Sequence, residues 1–183
     1  MRTPTLGLFL LLLAPLAAQQ PKLRLDLPTL AARADQVSDV TLDGDALRLG
    51  MAFLAKDGDL GGQDRDMLAH MQGIYVKTFE FDHSAAATDA DLAPIRAQLK
   101  GAGWSRIVSV RSKRHGRAGE NDEIYVCTGA NGAIQGMAII ARQARELDLV
   151  NIVGPIQPSE LTSLGGHLGI PPLEVAPAAK AKH

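Results

Sequence analysis

The spacing of apolar residues changes period part-way along the chain. In the first half it follows helices. Leu27, Leu30, Ala31, Ala34 and Val37 fall at helical intervals in "DLPTLAARADQV", with Pro28 tolerated in a first turn. Leu47, Gly50, Met51 and Leu54 make a second stripe in "DALRLGMAFLA", with Asp43 or Asp45 available as its cap. Leu92, Ile95 and Leu99 make a third, predicting a helix over 91–102 capped by Thr88 or, better, by Asp91, which keeps Pro94 in the first turn, and ended by Gly101 and Gly103. Between these, "SDVTL" and "GIYVKTFEFD" read as strands. The second changes phase between Val76 and Phe79, which requires either a bulge or burial on both faces. The polar break "KDGDLGGQDRD" and a short helical piece, "MLAHMQ", precede it.

From Trp104 the period becomes that of strands: "WSRIVSVRS", "DEIYVCT", "AIQGMAIIA" and "LDLVNIVG" follow one another. A last helix is expected in "PSELTSLGGHL", on Leu161, Leu164 and Leu168. Helices early and consecutive strands late predict an α+β domain over residues 27–169, an antiparallel sheet with helices packed on one face. The proline- and alanine-rich tail, 170–183, is expected to be disordered.

The segment "TGANGAIQG" between two of these strands tests whether the protein holds a nucleotide. Gly129, Gly132 and Gly136 do not have the dinucleotide-fold spacing, no Gly-Lys-Ser/Thr follows, and what comes next is strand-like. Without a helix N-terminus after the loop, nothing would face a phosphate. Asn131-Gly132 between alternating apolar runs instead predicts a type I′ hairpin, pairing Val126 with Met137 and Ile124 with Ile139. No cofactor is implied.

The first residues carry a different message. Arg2, an apolar run from Leu6 to Leu16, and small Ala17 and Ala18 have the layout of a cleaved export signal, residues 1–18, with 19–26 as linker. A run of roughly a dozen apolar residues is short of the roughly 20 that span a bilayer, and Pro15 interrupts it. The remainder is expected to be exported, periplasmic or secreted, with no transmembrane span. It holds 18 basic and 20 acidic side chains, a balance with no general pull toward nucleic acid. Cys127 is the only cysteine, so the chain makes no internal disulfide, and its apolar surroundings predict a buried thiol.

Candidate chemistry is sparse. Asp57, Asp59 and Gly62 loosely follow a calcium loop, but Leu68 stands where the closing glutamate belongs. His70, His83, His115 and His167 are scattered, with no zinc-binding spacing. Glu80, Asp82 and His83 gather at a strand end without a recognisable acid–base pattern. One tryptophan, two tyrosines and four phenylalanines are too few for a stacking platform, and Trp104 reads as a core anchor. The one marked charge feature is "VRSKRHGR". Arg111, Lys113, Arg114, His115 and Arg117 form either a solvated loop neutralised by the following "ENDE" or an anion-contacting patch.

The order of these segments has a counterpart. The Gly50-Met51 helix, the Gly103-Trp104 step from helix to strand, and "NIVGPI" before a leucine-bearing helix resemble the exported bacterial family catalogued as domain of unknown function 4252. The resemblance runs from about Leu27 to Leu168. It implies a small exported α+β domain and transfers no activity and no catalytic residue. Function is therefore expected to be that of a non-enzymatic envelope interaction module, whose partner is an envelope protein or another envelope component. The alternative is a periplasmic binder of a small ligand or lipid. A hydrolase built from residues such as Glu80, Asp82 and His83 is the least favoured.

Overall fold

The computed structural model of the protein describes residues 21–56, 69–82, 87–101, 103–114 and 117–157. The expected leader, the calcium-like loop with Asp57, Asp59 and Gly62, His83, His115, the last helix and the tail lie outside the described residues.

Six strands form one antiparallel sheet in the order β1-β2-β6-β5-β4-β3. They are β1 (Gln36–Asp43), β2 (Gly73–Glu80), β3 (Trp104–Arg114), β4 (Arg117–Thr128), β5 (Ile134–Arg142) and β6 (Glu146–Ile156). Among the described residues they are accompanied by α1 (Pro28–Ala31), α2 (Gly44–Lys56) and α3 (Ala93–Gln98), and residues 69–70 are also helical. The antiparallel sheet is as expected, but the helices do not share one face. Leu47 of α2 joins a core with Ile74, Val76, Ile139, Val150 and Ile152. Leu30 of α1 and Ile95 of α3 join a second core with Phe79, Tyr125, Ile140, Leu147 and Leu149. Since successive strand residues point to opposite faces, β5 and β6 are apolar on both, and each face needs its own cover.

Two-sided burial also explains the phase change in β2. Its ladder with β1 is continuous from Gly73 to Glu80, without a bulge. Ile74 and Val76 face the α2 side, whereas Phe79 faces the α1/α3 side. The helix expected from Leu27 is cut to one turn because Gln36 already pairs with Glu80 in the sheet. Likewise α3 is shorter than its stripe. In the turn before it, the Thr88 amide and hydroxyl both donate to Asp91 Oδ2, at 2.8 and 2.7 Å.

The glycine segment is a hairpin, and Val126–Met137 and Ile124–Ile139 are register partners. Its turn differs by one residue from the expected type I′. The Gly132 amide donates to Gly129 O at 2.9 Å, which places Ala130 and Asn131 at the centre, and Gly132 takes φ 76°. A register shift between Cys127 and Thr128 absorbs the extra residue, so the expected face pairing survives.

Residues 21–31 cross the α1/α3 face and are fastened there by Asn151, fully buried on β6. Its Oδ1 accepts from the Leu23 amide at 2.8 Å, and its Nδ2 donates to Pro21 O at 3.0 Å and Met137 O at 3.1 Å. Alanine here would leave buried backbone groups unpaired. Asn151→Ala should lower unfolding stability by about 2 kcal/mol or more, measured by urea titration. The same change should speed hydrogen exchange at Leu23.

Candidate functional site

The α1/α3 face carries the protein's main polar assembly, at the end of the sheet where β3, β4 and β5 run side by side. Register puts Arg111, Asn121 and Arg142 in one row across these strands, with Ser109, Glu123 and Ile140 in the next. Neighbouring strands lie about 4.8 Å apart, so Arg111 and Arg142 flank Asn121 across roughly 10 Å of backbone. Arg96 reaches the same place from the last turn of α3.

Glu123 is 2% exposed, and its charge is fully engaged. Arg96 grips it with Nη2 on Oε1 at 2.6 Å and Nε on Oε2 at 3.3 Å. Tyr125 donates its hydroxyl to Oε2 at 2.6 Å, Asn121 donates Nδ2 to Oε1 at 3.1 Å, and Arg106 Nη1 stands 3.8 Å from Oε2. Burial alone would raise this carboxyl's pKa, but the hydrogen bonds from Arg96, Tyr125 and Asn121 outweigh it and hold it at about 2. Asn121 Oδ1, beside them, is buried and accepts no hydrogen bond.

Above this buried pair lies a second, wetter layer. Asp89 Oδ1 accepts from Arg96 Nη1 at 3.1 Å and Arg142 Nη1 at 3.2 Å, although its side chain is 65% exposed. Arg142 Nη1 also donates to Ala87 O at 3.3 Å. Three guanidiniums, Arg96, Arg106 and Arg142, thus meet two carboxylates, Glu123 and Asp89, and the charge of Arg111 acts on Asp89 from β3. The excess is positive.

Of the patch expected from the sequence, Arg111 is exposed on β3 and belongs to this assembly. Arg114 and Arg117 are register partners at the end of the β3–β4 hairpin, and Lys113 pairs with Ala118. His115 lies outside the described residues. Within the acidic run that follows, Glu123 turns into the α1/α3 face to pair with Arg96, and Asn121 donates to Glu123. Sequence reasoning missed Arg96, Glu123, Asp89 and Arg142. A signal was present for one of them: Glu123 shares strand parity with Tyr125 and Cys127, both buried.

The opposite face holds an acidic cluster at its β2–β6 end. Glu80 and Glu146 are register partners, as are Thr78 and Asp148. Asp148 is 6% exposed and accepts the Thr78 hydroxyl at 2.7 Å. Burial raises its pKa, as does the nearby charge of Glu80; burial also raises Glu146, with Asp148 and Glu80 adding to it. Among the described residues no group of three or more His, Cys, Asp or Glu could hold a metal ion. Glu80 ends β2, Asp82 donates its amide to Asp35, and His83 lies outside the described residues. Cys127 is buried, and that burial raises its pKa.

Residues 32–164, well over half of the chain, match the family described as "Domain of unknown function (DUF4252)". The chain belongs to this family. No curated protein and no solved structure matches it. The matched span begins within the linker after α1 and takes in every strand of the sheet, so the arginine assembly lies inside the DUF4252 domain.

Two measurements probe these clusters. The folded-state pKa of Glu123 lies below its ordinary 4.5, so its contribution is complete above that value and is lost as pH falls through about 2. Glu123→Gln should cost about 3 kcal/mol near neutrality, and its stability gap from wild type should narrow between pH 5 and pH 2 in urea titrations. Asp148 has the opposite sign. Its raised pKa makes the folded state least favoured above that pKa and relieves it as pH falls toward the ordinary 3.8. Asp148→Asn should therefore raise the melting temperature at pH 7.5, and the gain should fade by pH 4.

Proposed function

We propose that this DUF4252 protein is an exported, non-enzymatic interaction module of the cell envelope. Its surface for that role is the arginine-rich end of the α1/α3 face, and its partner is an envelope protein presenting an acidic segment. The carrying observation is the charge excess: three guanidiniums and the charge of Arg111 converge over β3–β5 against Glu123 and Asp89. The chain as a whole has a net charge of −1, so the imbalance is local and gives a direction to association rather than general stickiness.

The surroundings of this surface favour a protein partner. Edge strand β3 is bordered by β4 on one side only, and it exposes Ile107 at 51% next to Arg106. An exposed apolar side chain next to arginine suits a protein surface better than a polyanion alone. The described aromatic residues are otherwise engaged. Tyr125 is buried on Glu123, Lys22 covers the Tyr75 ring at 4.2 Å, and Trp104 packs on the core, which argues against base stacking. Export rests on the leader pattern from Arg2 to Ala18. Among the described residues no helix is long and apolar enough to cross a membrane.

Crosslinking and affinity capture from the native envelope test this reading, using wild type and Arg111→Glu side by side. The expected result is one stoichiometric protein partner with an acidic segment, recovered with wild type, reduced about tenfold by the reversed charge and weakened by salt. Capture that is indifferent to Arg111→Glu, or lipid recovered in place of protein, overturns it. Cell fractionation should place the processed chain outside the cytoplasm.

A further inference from the structure

Asp89 is unusual among the acids of this face. Glu123 is buried and engaged from three sides, so it serves the fold. Asp89 is largely exposed, yet one of its oxygens accepts from two arginines at once. Arg96 has its Nε and Nη2 committed to Glu123, which fixes the plane of the guanidinium and aims Nη1 outward. Arg142 has a side chain only 13% exposed, and its Nη1 is steadied by Ala87 O. Two arginines so held form a preorganised cradle for a carboxylate. Arg111 adds its field from β3. A hydrogen bond from Arg96 is the main cause of Asp89's lowered pKa, and Arg142 and Arg111 contribute against the effect of burial.

We propose that Asp89 is an internal stand-in for the partner's carboxylate: it occupies the Arg96–Arg142 cradle beside Arg111, and an acidic segment docks by displacing it. The inference rests on the interaction-module reading above and adds its chemistry and its control. The cradle takes a side-chain or terminal carboxylate, the chemistry already seated in it. An ion pair as exposed as that of Asp89 is weak, so its release costs little. As a tethered competitor, however, Asp89 raises the concentration of acidic ligand needed to fill the site. The Thr88–Asp91 hydrogen bonds close the loop on either side of Asp89, so its carboxylate can leave the cradle while that turn stays intact. Displacement is thereby confined to a single side chain and its immediate backbone.

The test is a titration of the mature protein with a short poly-L-glutamate peptide at low ionic strength. Four forms are compared: wild type, Asp89→Asn, Asp26→Asn and Arg142→Gln. Asp26 is an exposed acid paired with Lys77 of β2, so its substitution changes the net charge equally, away from the cradle. Asp89→Asn should tighten binding about fivefold, Asp26→Asn by less than about twofold, and Arg142→Gln should weaken it. Saturating peptide should also shift the wild-type amide signals of residues 87–92. Equal gains from Asp89→Asn and Asp26→Asn would mean that only the overall field matters; the stand-in role then fails while the interaction reading survives. Binding that leaves residues 87–92 unshifted has the same consequence. No saturable binding by any form removes the acidic partner, and both proposals fall together.

Discussion

Strands β5 and β6 bury side chains of both parities, from Met137 and Ile139 on one face to Ala138 and Ile140 on the other, and from Val150 and Ile152 to Leu147 and Leu149. A sheet whose centre is apolar on both sides is unstable with either side wet, at about 25 cal/mol per Å² of apolar surface. The remaining architecture answers to that constraint. Leu47 of α2 covers one face, and on the other the segment from Leu23 to Leu30 and the residues around Ile95 close over Phe79 and Leu147. Asn151 belongs to the same solution, because a stretch without regular secondary structure laid across a sheet face has backbone groups that need partners there.

Covering the β3–β5 end from α3 brings polar groups under the cover. Glu123 could be buried only with several donors around it, and Arg96, Tyr125 and Asn121 supply them. Removing either partner would leave a buried charge unpaired, so the pair is fixed once α3 has docked. Its consequence is positional. Arg96 is held rigidly at the boundary between interior and solvent, with Nη1 directed to the outer layer where Asp89 and Arg142 meet.

The outer layer is where the structure and the functional reading join. A module that recognises another protein needs little reactive chemistry; it needs a surface whose charges are fixed and whose wrong partners are repelled. Arginines anchored from beneath by a buried carboxylate meet that need better than mobile lysines would, because less side-chain freedom is lost on contact. The acidic cluster of Glu80, Glu146 and Asp148 lies on the opposite face, so the two polar ends of the sheet do not neutralise each other.

How much of this could be read from residues alone depended on how local each feature is. The four strands from Trp104 on, the presence of a bend in the glycine segment and the pairing of Val126 with Met137 follow from alternation and turn chemistry, which are properties of short segments, although the bend is centred one residue earlier than expected. The bend's failure as a phosphate loop was equally legible, because a following strand excludes a helix N-terminus. Membership of the DUF4252 family was legible for the same reason, since its pattern is one of ordered segments. The double apolar parity of β5 and β6 was written in the chain as well, but which helix covers which face was not. The arginine site was not legible at all. Asp89 and Arg96 lie near α3, far in sequence from Glu123 and Arg142, and the four meet only because α3 is folded onto strands that register aligns. Sequence by itself determined the strands after Trp104 and the place of the hairpin between β4 and β5, since each is decided within a few residues of backbone. Tertiary structure decided the faces and the charge cluster, since both depend on which distant segments must exclude water together.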